Sequence, residues 1–284
     1  MRSYYPFPWV VRTREPPPIN SDGSITYNLQ NLHTPFTEEQ IVGLVQTAYR
    51  SGRKLRVLAS GHSWSEIAQT DDIMLSTMNY TGLVAVDRER MLVTVRAGTK
   101  LSDLNTILDR EGLAMATMPT ITDQSIAGAI STGTHGAGIT AKNMASLVSK
   151  FKFVSGTGEV RTTSEDDKDP SLFRAMQVSI GMLGVITEVT LHVEKAYHLE
   201  ERRTFHTLDY CLDHLHEIAY EPASKIWLDF HNDFCVHFTM RRSSNPIGSD
   251  AGYVRMALTS LAFNMATYTS YILPPITPYL DVAS

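Results

Sequence analysis

Residues 119–138, PTITDQSIAGAISTGTHGAG, restrict the possible folds more than any other stretch of the chain. Most side chains here are small, polar or absent, so the run cannot fill a core by itself. It can line a close-fitting ligand, with backbone N–H groups and hydroxyls turned inward. The alternative is a small-residue loop, but so long an unstructured stretch inside a compact domain is uncommon. Hydroxyls interleaved with glycine suit a phosphate-bearing cofactor. The run is not a Rossmann fingerprint, because no G-x-G-x-x-G opens a helix after a strand.

A second constraint stands upstream. Residues 55–59 form a short apolar run, long enough for a buried strand, and Ser60-Gly61 ends it. His62, Ser63 and Ser65 follow, with Trp64 among them. A strand that stops at glycine and exposes N–H groups beside hydroxyls makes an anion-binding nest, and Gly61 lets the backbone approach a phosphate closely. A nest needs no histidine, so His62 is either incidental or chemical.

Bulk properties exclude several classes. The chain has 284 residues and is 43% hydrophobic, enough for one large domain or two modest ones. Twenty-five basic and 30 acidic residues give a net charge of −5, without the clustered positive charge of a nucleic-acid binder. Cys211 and Cys235, the two cysteines, rule out a disulfide framework and a cysteine-rich metal site. They can form one bridge, but two free thiols in a reducing compartment are expected. The aromatic, proline-rich residues 1–18 are too broken for a signal-peptide core, and no window reaches the apolar length of a membrane span.

Local patterns predict the elements. Residues 24–29 read as a short strand. Thr37-Glu38-Glu39-Gln40 is a capping-box pattern opening a helix to about Ser51, with Ile41, Leu44, Val45 and Ala48 on one face and Gly52 past its end. Strands follow at 55–59 and 72–75, then a hairpin at 83–87 and 92–97. A helix over 100–110 ends before Gly112. Strands at 148–154 and 159–163 precede a helix that places Pro170 at its first position, and a glycine-opened strand runs through 181–191. Residues 207–220 read as one helix, and 225–230 with 234–242 as an antiparallel hairpin. His214 and His216 lie two apart and share no helix face, so they are poor joint metal ligands; no metal site is expected. The order is α+β rather than a repeating βαβ.

Three stretches in fixed order, GHSWS, SIAGAISTGTHGAG and GMLGVITEVTL, resemble the FAD domain of vanillyl-alcohol-oxidase-type flavoproteins, and within that group the aldonolactone oxidases. The likeness covers about residues 25–245. It implies an α+β fold: a two-subdomain FAD-binding domain over 25–195, after an entry segment 1–24, followed over 196–284 by an incomplete substrate domain with antiparallel strands. It implies FAD, attached covalently through His62. By the same likeness Val57, Leu58, Ala59, Ser60, Gly61, His62 and Ser63 hold the pyrophosphate. Thr120, Ser125, Gly128, Thr132, Gly133, Thr134 and His135 line the cofactor, and Ile186 meets the adenine end by its backbone. His135 reads equally as a cofactor contact or as a core histidine.

The implied reaction is oxidation of a sugar-acid lactone by dioxygen, giving hydrogen peroxide and an ascorbate-type product. An alditol oxidase and a non-catalytic FAD-binding fragment are the rival readings. The family's later His-Trp-x-Lys motif is absent, and the chain stops about where the second half of the substrate domain would begin. No catalytic residue is therefore assigned. Just before Thr120 the oxidases tend to carry glycine and the dehydrogenases alanine. Pro119 stands there in this chain, so dioxygen access stays open. The apolar, aromatic-rich residues 253–280 read either as surface buried by the rest of a substrate domain or as a peripheral anchor on the endoplasmic reticulum membrane. Without such an anchor a cytoplasmic location is expected.

Overall fold

The computed structural model describes residues 19–230 and 233–245. The expectations for residues 1–18, for the turn at 231–232 and for the segment 253–280 lie outside the described residues. Among the described residues no helix is long and apolar enough to cross a membrane. The described chain divides into two compact units, one of residues 19–136 with Lys142–Ala196, the other of Ala137–Ala141 with residues 197–245.

The first unit begins with β1 (Leu32–His33), α1 (Glu38–Ser51), β2 (Leu55–Leu58) and β3 (Ile73–Ser76). The three strands form a parallel sheet in the order β1-β3-β2, leaving β2 at an edge. Helix α1 starts where the capping box predicts: Thr37 Oγ1 accepts from the Gln40 N–H, and the Gln40 side chain accepts from the Thr37 N–H. It stops at Gly52, whose φ of 66° is left-handed. Ile41 and Val45 of α1 pack with Leu75, Tyr80, Val154 and Val185.

Next come β4 (Leu83–Asp87), β5 (Leu92–Arg96), α2 (Leu101–Arg110), β6 (Leu113–Ala114), α3 (Ile126–Ser131), β7 (Val148–Val154), β8 (Val160–Ser164), α4 (Ser171–Gln177), β9 (Val185–His192) and β10 (Glu194–Lys195). A five-stranded antiparallel sheet runs β4-β5-β9-β7-β8, and β6 pairs with β10. Val93, Val95, Phe151, Phe153, Val189 and Leu191 project from the sheet into the main core. Leu101, Leu104 and Leu108 of α2, Ile126, Ala129 and Ile130 of α3, and Phe173 and Met176 of α4 meet them there. Each such large side chain contributes about 1.5–3 kcal/mol by leaving water.

Residues 97–99 join these layers. The Gly98 N–H donates to the Tyr80 carbonyl at 3.0 Å, and the Ala97 N–H to the Thr187 carbonyl at 2.9 Å. In return the Ala97 and Thr99 carbonyls accept from Ala127 and Ile126 at the start of α3. A Cβ on Gly98 would overlap the carbonyl oxygen of Thr77.

The second unit contains β11 (His198–Thr207), α5 (Leu208–Asp213), α6 (Leu215–Ala219), β12 (Lys225–Asp229) and β13 (Phe234–Ser243), with the antiparallel sheet order β11-β13-β12. On β13, Cys235 and His237 are buried on one face. Phe238 faces the other way, 5.3 Å from the Trp227 ring, with Lys225 Nζ 4.5 Å from its own centroid.

Five local expectations are corrected. The strand at 24–29 is a single bridge between Ile19 and Thr26, because Asn20 closes a tight turn with its Oδ1 on the Ile25 N–H. The run at 119–138 does more than line a ligand: Ile126, Ala129 and Ile130 have helical spacing, fill core space and build α3. Pro170 is the N-cap of α4 rather than its first residue, with Asp169 accepting from the Ser171 N–H at 3.0 Å. The helix over 207–220 breaks at His214, whose Nδ1 turns back onto the Tyr210 carbonyl at 2.9 Å. Cys211 and Cys235 are not free thiols. Helix α5 brings the buried Cys211 onto β13, and the two form a disulfide with Cα atoms 6.8 Å apart.

Two glycine variants test the junction. Gly98→Ala is expected to lose on the order of 4 kcal/mol or fail to fold, since backbone must move. Gly112→Ala, at φ 67° with open space around it, is expected to lose only about 1–2 kcal/mol. Urea unfolding of both variants checks the contrast, and equal losses would refute the role given to Gly98.

Candidate cofactor-binding site

The first unit contains a cleft of about 250 Å³. A second cavity of about 370 Å³ adjoins it, with Val57, Gly181 and Gly184 in both walls.

Three segments build the cleft. The first is the turn after β2. Gly61 has φ 67°, and the carbonyls of Gly61, His62 and Ser63 are all held by the preceding loop. The Ser21 N–H donates to Gly61 O at 3.0 Å, Ser21 Oγ to His62 O at 3.4 Å, and Asn20 Nδ2 to Ser63 O at 3.0 Å. With those carbonyls engaged, the N–H groups of Ser60, Gly61 and His62 have no acceptor among the described residues. A row of free N–H donors is what an anion nest requires.

The second segment is α3. Ile126 and Ile130 fill the core, Gly128, Ser131 and Thr132 line the cleft, and Ala127 and Ala129 touch both. Ser125 caps the helix through its Oγ and the Gly128 N–H, 3.2 Å apart. A Cβ on Gly128 would stand 2.9 Å from Ser125 Oγ and 3.8 Å from Ala59 Cβ. The third segment is the loop Ile180–Gly184 leading into Ile186. The Ile180 N–H ties it to the Ser131 carbonyl at 3.0 Å.

Of the residues singled out in the sequence, Val57 to Ser63, Ser125, Gly128, Thr132 and Ile186 come together in the cleft wall. Thr120, Gly133, Thr134 and His135 are not in that wall. The chain turns away at Gly133, φ 70°. Thr134 then pairs by backbone with Met144, and His135 is exposed, so it is not a core histidine. Its Nδ1 donates to the Gly136 carbonyl at 2.9 Å. Tyr27, Arg56, Thr77 and Gln124 also line the cleft and carried no local signal. Only the tertiary fold brings them there, although Gln124 adjoins the capping Ser125.

The chemistry of the wall is specific. Tyr27 Oη, Ser60 Oγ, His62 Nδ1, Thr77 Oγ1 and Gln124 Oε1 are buried without a hydrogen-bond partner. Buried polar atoms are ordinarily paired, so this cluster calls for a polar ligand. Burial also pushes the His62 pKa below the ordinary histidine value; Asp123 opposes the shift and Lys100 adds to it. Lys100 and Asp123 pair with each other at 3.4 Å. His62 is therefore a neutral imidazole at pH 7, with a lone pair free to act as a nucleophile. Among the described residues no cluster of His, Cys, Asp or Glu could hold a metal ion.

Residues 30–164 match the FAD binding domain family. The fold is the FAD-binding fold of vanillyl-alcohol-oxidase type, and FAD is the cofactor of the matched domain. A histidine-to-alanine variant of cholesterol oxidase from Brevibacterium sterolicum shares the fold, with TM-score 0.65 and 16% identity over 89% of this chain and 53% of that one. In sequence the chain is similar to aldonolactone oxidases. It is 39% identical to a D-arabinono-1,4-lactone oxidase of Neurospora crassa over 165 residues, 58% of this chain and 30% of the relative. It is 28% identical to the L-gulonolactone oxidase of Mus musculus over 251 residues, 88% of this chain and 57% of the relative. The chain thus spans 30% and 57% of the length of these two relatives.

The site fits FAD. Its orphan N–H row suits a diphosphate, its unpaired hydroxyls and amide suit sugar and ring heteroatoms, and Gly128 leaves the room that a Cβ would fill.

Two measurements probe the site. Gly128→Val is expected to abolish FAD binding by forcing the capping serine and Ala59 apart. Gly133→Ala, strained in φ but outside the cleft, is expected to lose about 1–2 kcal/mol of stability and still bind FAD. Absorbance titration with unfolding curves separates the two, and FAD binding by the valine variant would contradict the assignment. The second measurement concerns His62. Its acylation by diethyl pyrocarbonate, a reagent for neutral imidazole, is expected to titrate below the midpoint of free histidine, about 6.5. The unfolded chain takes up this proton first, so the stability His62 supplies is complete above about pH 6.5. That stability is lost as pH falls through this value toward the depressed native pKa. An acylation midpoint above free histidine would refute the neutral assignment.

Proposed function

We propose that this chain is the FAD-bearing part of an aldonolactone oxidase. The reading covers oxidation of a sugar-acid lactone at a secondary alcohol beside the lactone carbonyl, with dioxygen as acceptor, hydrogen peroxide as by-product and an ascorbate-type lactone as product. The observation that carries it is the cleft whose wall unites the Ser60-Gly61-His62 turn, the small face of α3 and Ile186 in a chain similar to enzymes with these names.

When bound, FAD supplies the two-electron acceptor chemistry that the protein's side chains lack. The chain's own residues bind and orient it. The N–H groups of Ser60, Gly61 and His62 would hold the diphosphate. Ser60, Thr77 and Gln124 offer hydrogen bonds to the polar atoms of the dinucleotide. Gly128 permits close approach. His62, neutral and unpartnered at Nδ1, is the residue that would anchor the flavin covalently. Such a link would prevent cofactor loss.

The test has two arms. Acid-precipitated holoprotein is expected to stay yellow, with flavin mass on a peptide containing His62, and His62→Ala is expected to release its flavin on denaturation. Complete release from the unaltered protein would refute the covalent link. Turnover is then measured on a panel of aldonolactones and alditols, with peroxide yield compared against reduction of a dye. Lactone oxidation with stoichiometric peroxide is expected. Turnover of alditols alone, or with dye alone, would overturn the substrate or the acceptor respectively.

A further inference from the structure

We infer that Arg56 is the cation that neutralises the diphosphate of the bound dinucleotide. Arg56 lies on β2, an edge strand of the parallel sheet, four residues before Ser60, where the free N–H row begins. Arg56 lines the cleft, and among the described residues it is the one permanently charged residue there. No carboxylate stands there to balance it. The guanidinium's hydrogen bond is from Nη1 to Met182 Sδ, at 3.0 Å, and no ion pair among the described residues involves Arg56. A thioether is a weak acceptor.

The charge balance gives the partner its chemistry. Arg56 is half-buried beside a cleft walled by Val57, Leu58 and Ile186, and its guanidinium lacks a counter-charge among the described residues. A diphosphate carries two negative charges, and the backbone N–H groups offer it dipoles but no net charge. Arginine presents a planar fork of donors that matches phosphate oxygens bidentately. Exchanging the Met182 thioether for a phosphate oxygen would replace a weak contact with a charge-assisted one. Arg56 is a binding residue in this account and takes no part in oxidation chemistry.

The inference rests on the FAD reading of the cleft, so its test separates the two. In a His62→Ala background flavin binding is reversible, and dissociation constants are measured for FAD and for riboflavin, which carries no phosphate. Arg56→Met is expected to weaken FAD about 10- to 100-fold and to change riboflavin less than about twofold. Arg56→Lys is expected to recover part of the loss. An FAD affinity within about twofold of the parent, or an equal loss for both flavins, overturns the inference. Should the methionine variant not fold, salt makes the same test on the unaltered arginine. FAD affinity must then fall more than riboflavin affinity as ionic strength rises from about 0.02 M to 0.5 M, and equal responses overturn the inference. A parent protein that binds neither flavin overturns the FAD reading together with this one; binding that ignores Arg56 overturns this one alone.

Discussion

Gly98 holds the flavin unit together at a point where no side chain fits. Its missing Cβ lets residues 97–99 pass against the Thr77 carbonyl, and the N–H and C=O groups around it bind Tyr80, Thr187 and the first turn of α3. Thr77 is the residue after β3, Thr187 lies within β9, and Ile126 and Ala127 open α3. One short segment therefore ties the parallel sheet, the antiparallel sheet and the small-residue helix. With those three fixed, the turn after β2, the outer face of α3 and the start of β9 must line one cleft. The cleft follows from the junction, and its chemistry follows from what remains unpaired inside it.

The unpaired groups explain why a fold this well packed leaves hydrogen bonds unmade. Most buried polar groups in a native protein find partners, and each exception has a cost. Here five exceptions line one cleft, and the loop carbonyls beside them are satisfied by Asn20 and Ser21. Pairing the carbonyls on one side frees the N–H groups on the other. A bound dinucleotide would offset the desolvation cost of these unpaired groups, so cofactor binding and folding stability are linked by mass action.

Local chemistry made much of this legible in the sequence. The capping box at Thr37 and Gln40 and the left-handed Gly52 set both ends of α1 within a few bonds of chain. The hairpins and the Ser60-Gly61 turn were legible for the same reason. Helix α3 was hidden because its three core residues are diluted by glycine, alanine and serine. The break at His214 depends on a ring nitrogen finding a carbonyl one turn back, and no pattern of hydrophobicity encodes that. The site divides along the same line. His62 and Gly128 sit in motifs, whereas Tyr27, Arg56 and Thr77 reach the cleft only through tertiary packing. Thr120 and residues 133–135 belong to the same small-residue run, but the turn at Gly133 carries the latter away from the wall.

The central claim is that three segments distant in sequence close on one FAD. Hydrogen–deuterium exchange of the apoprotein and the FAD-loaded protein tests it most directly. The account predicts that FAD slows exchange together in residues 57–63, 124–132 and 180–186 and leaves residues 134–143 unchanged. Protection confined to one of the three segments, or centred outside them, would contradict it.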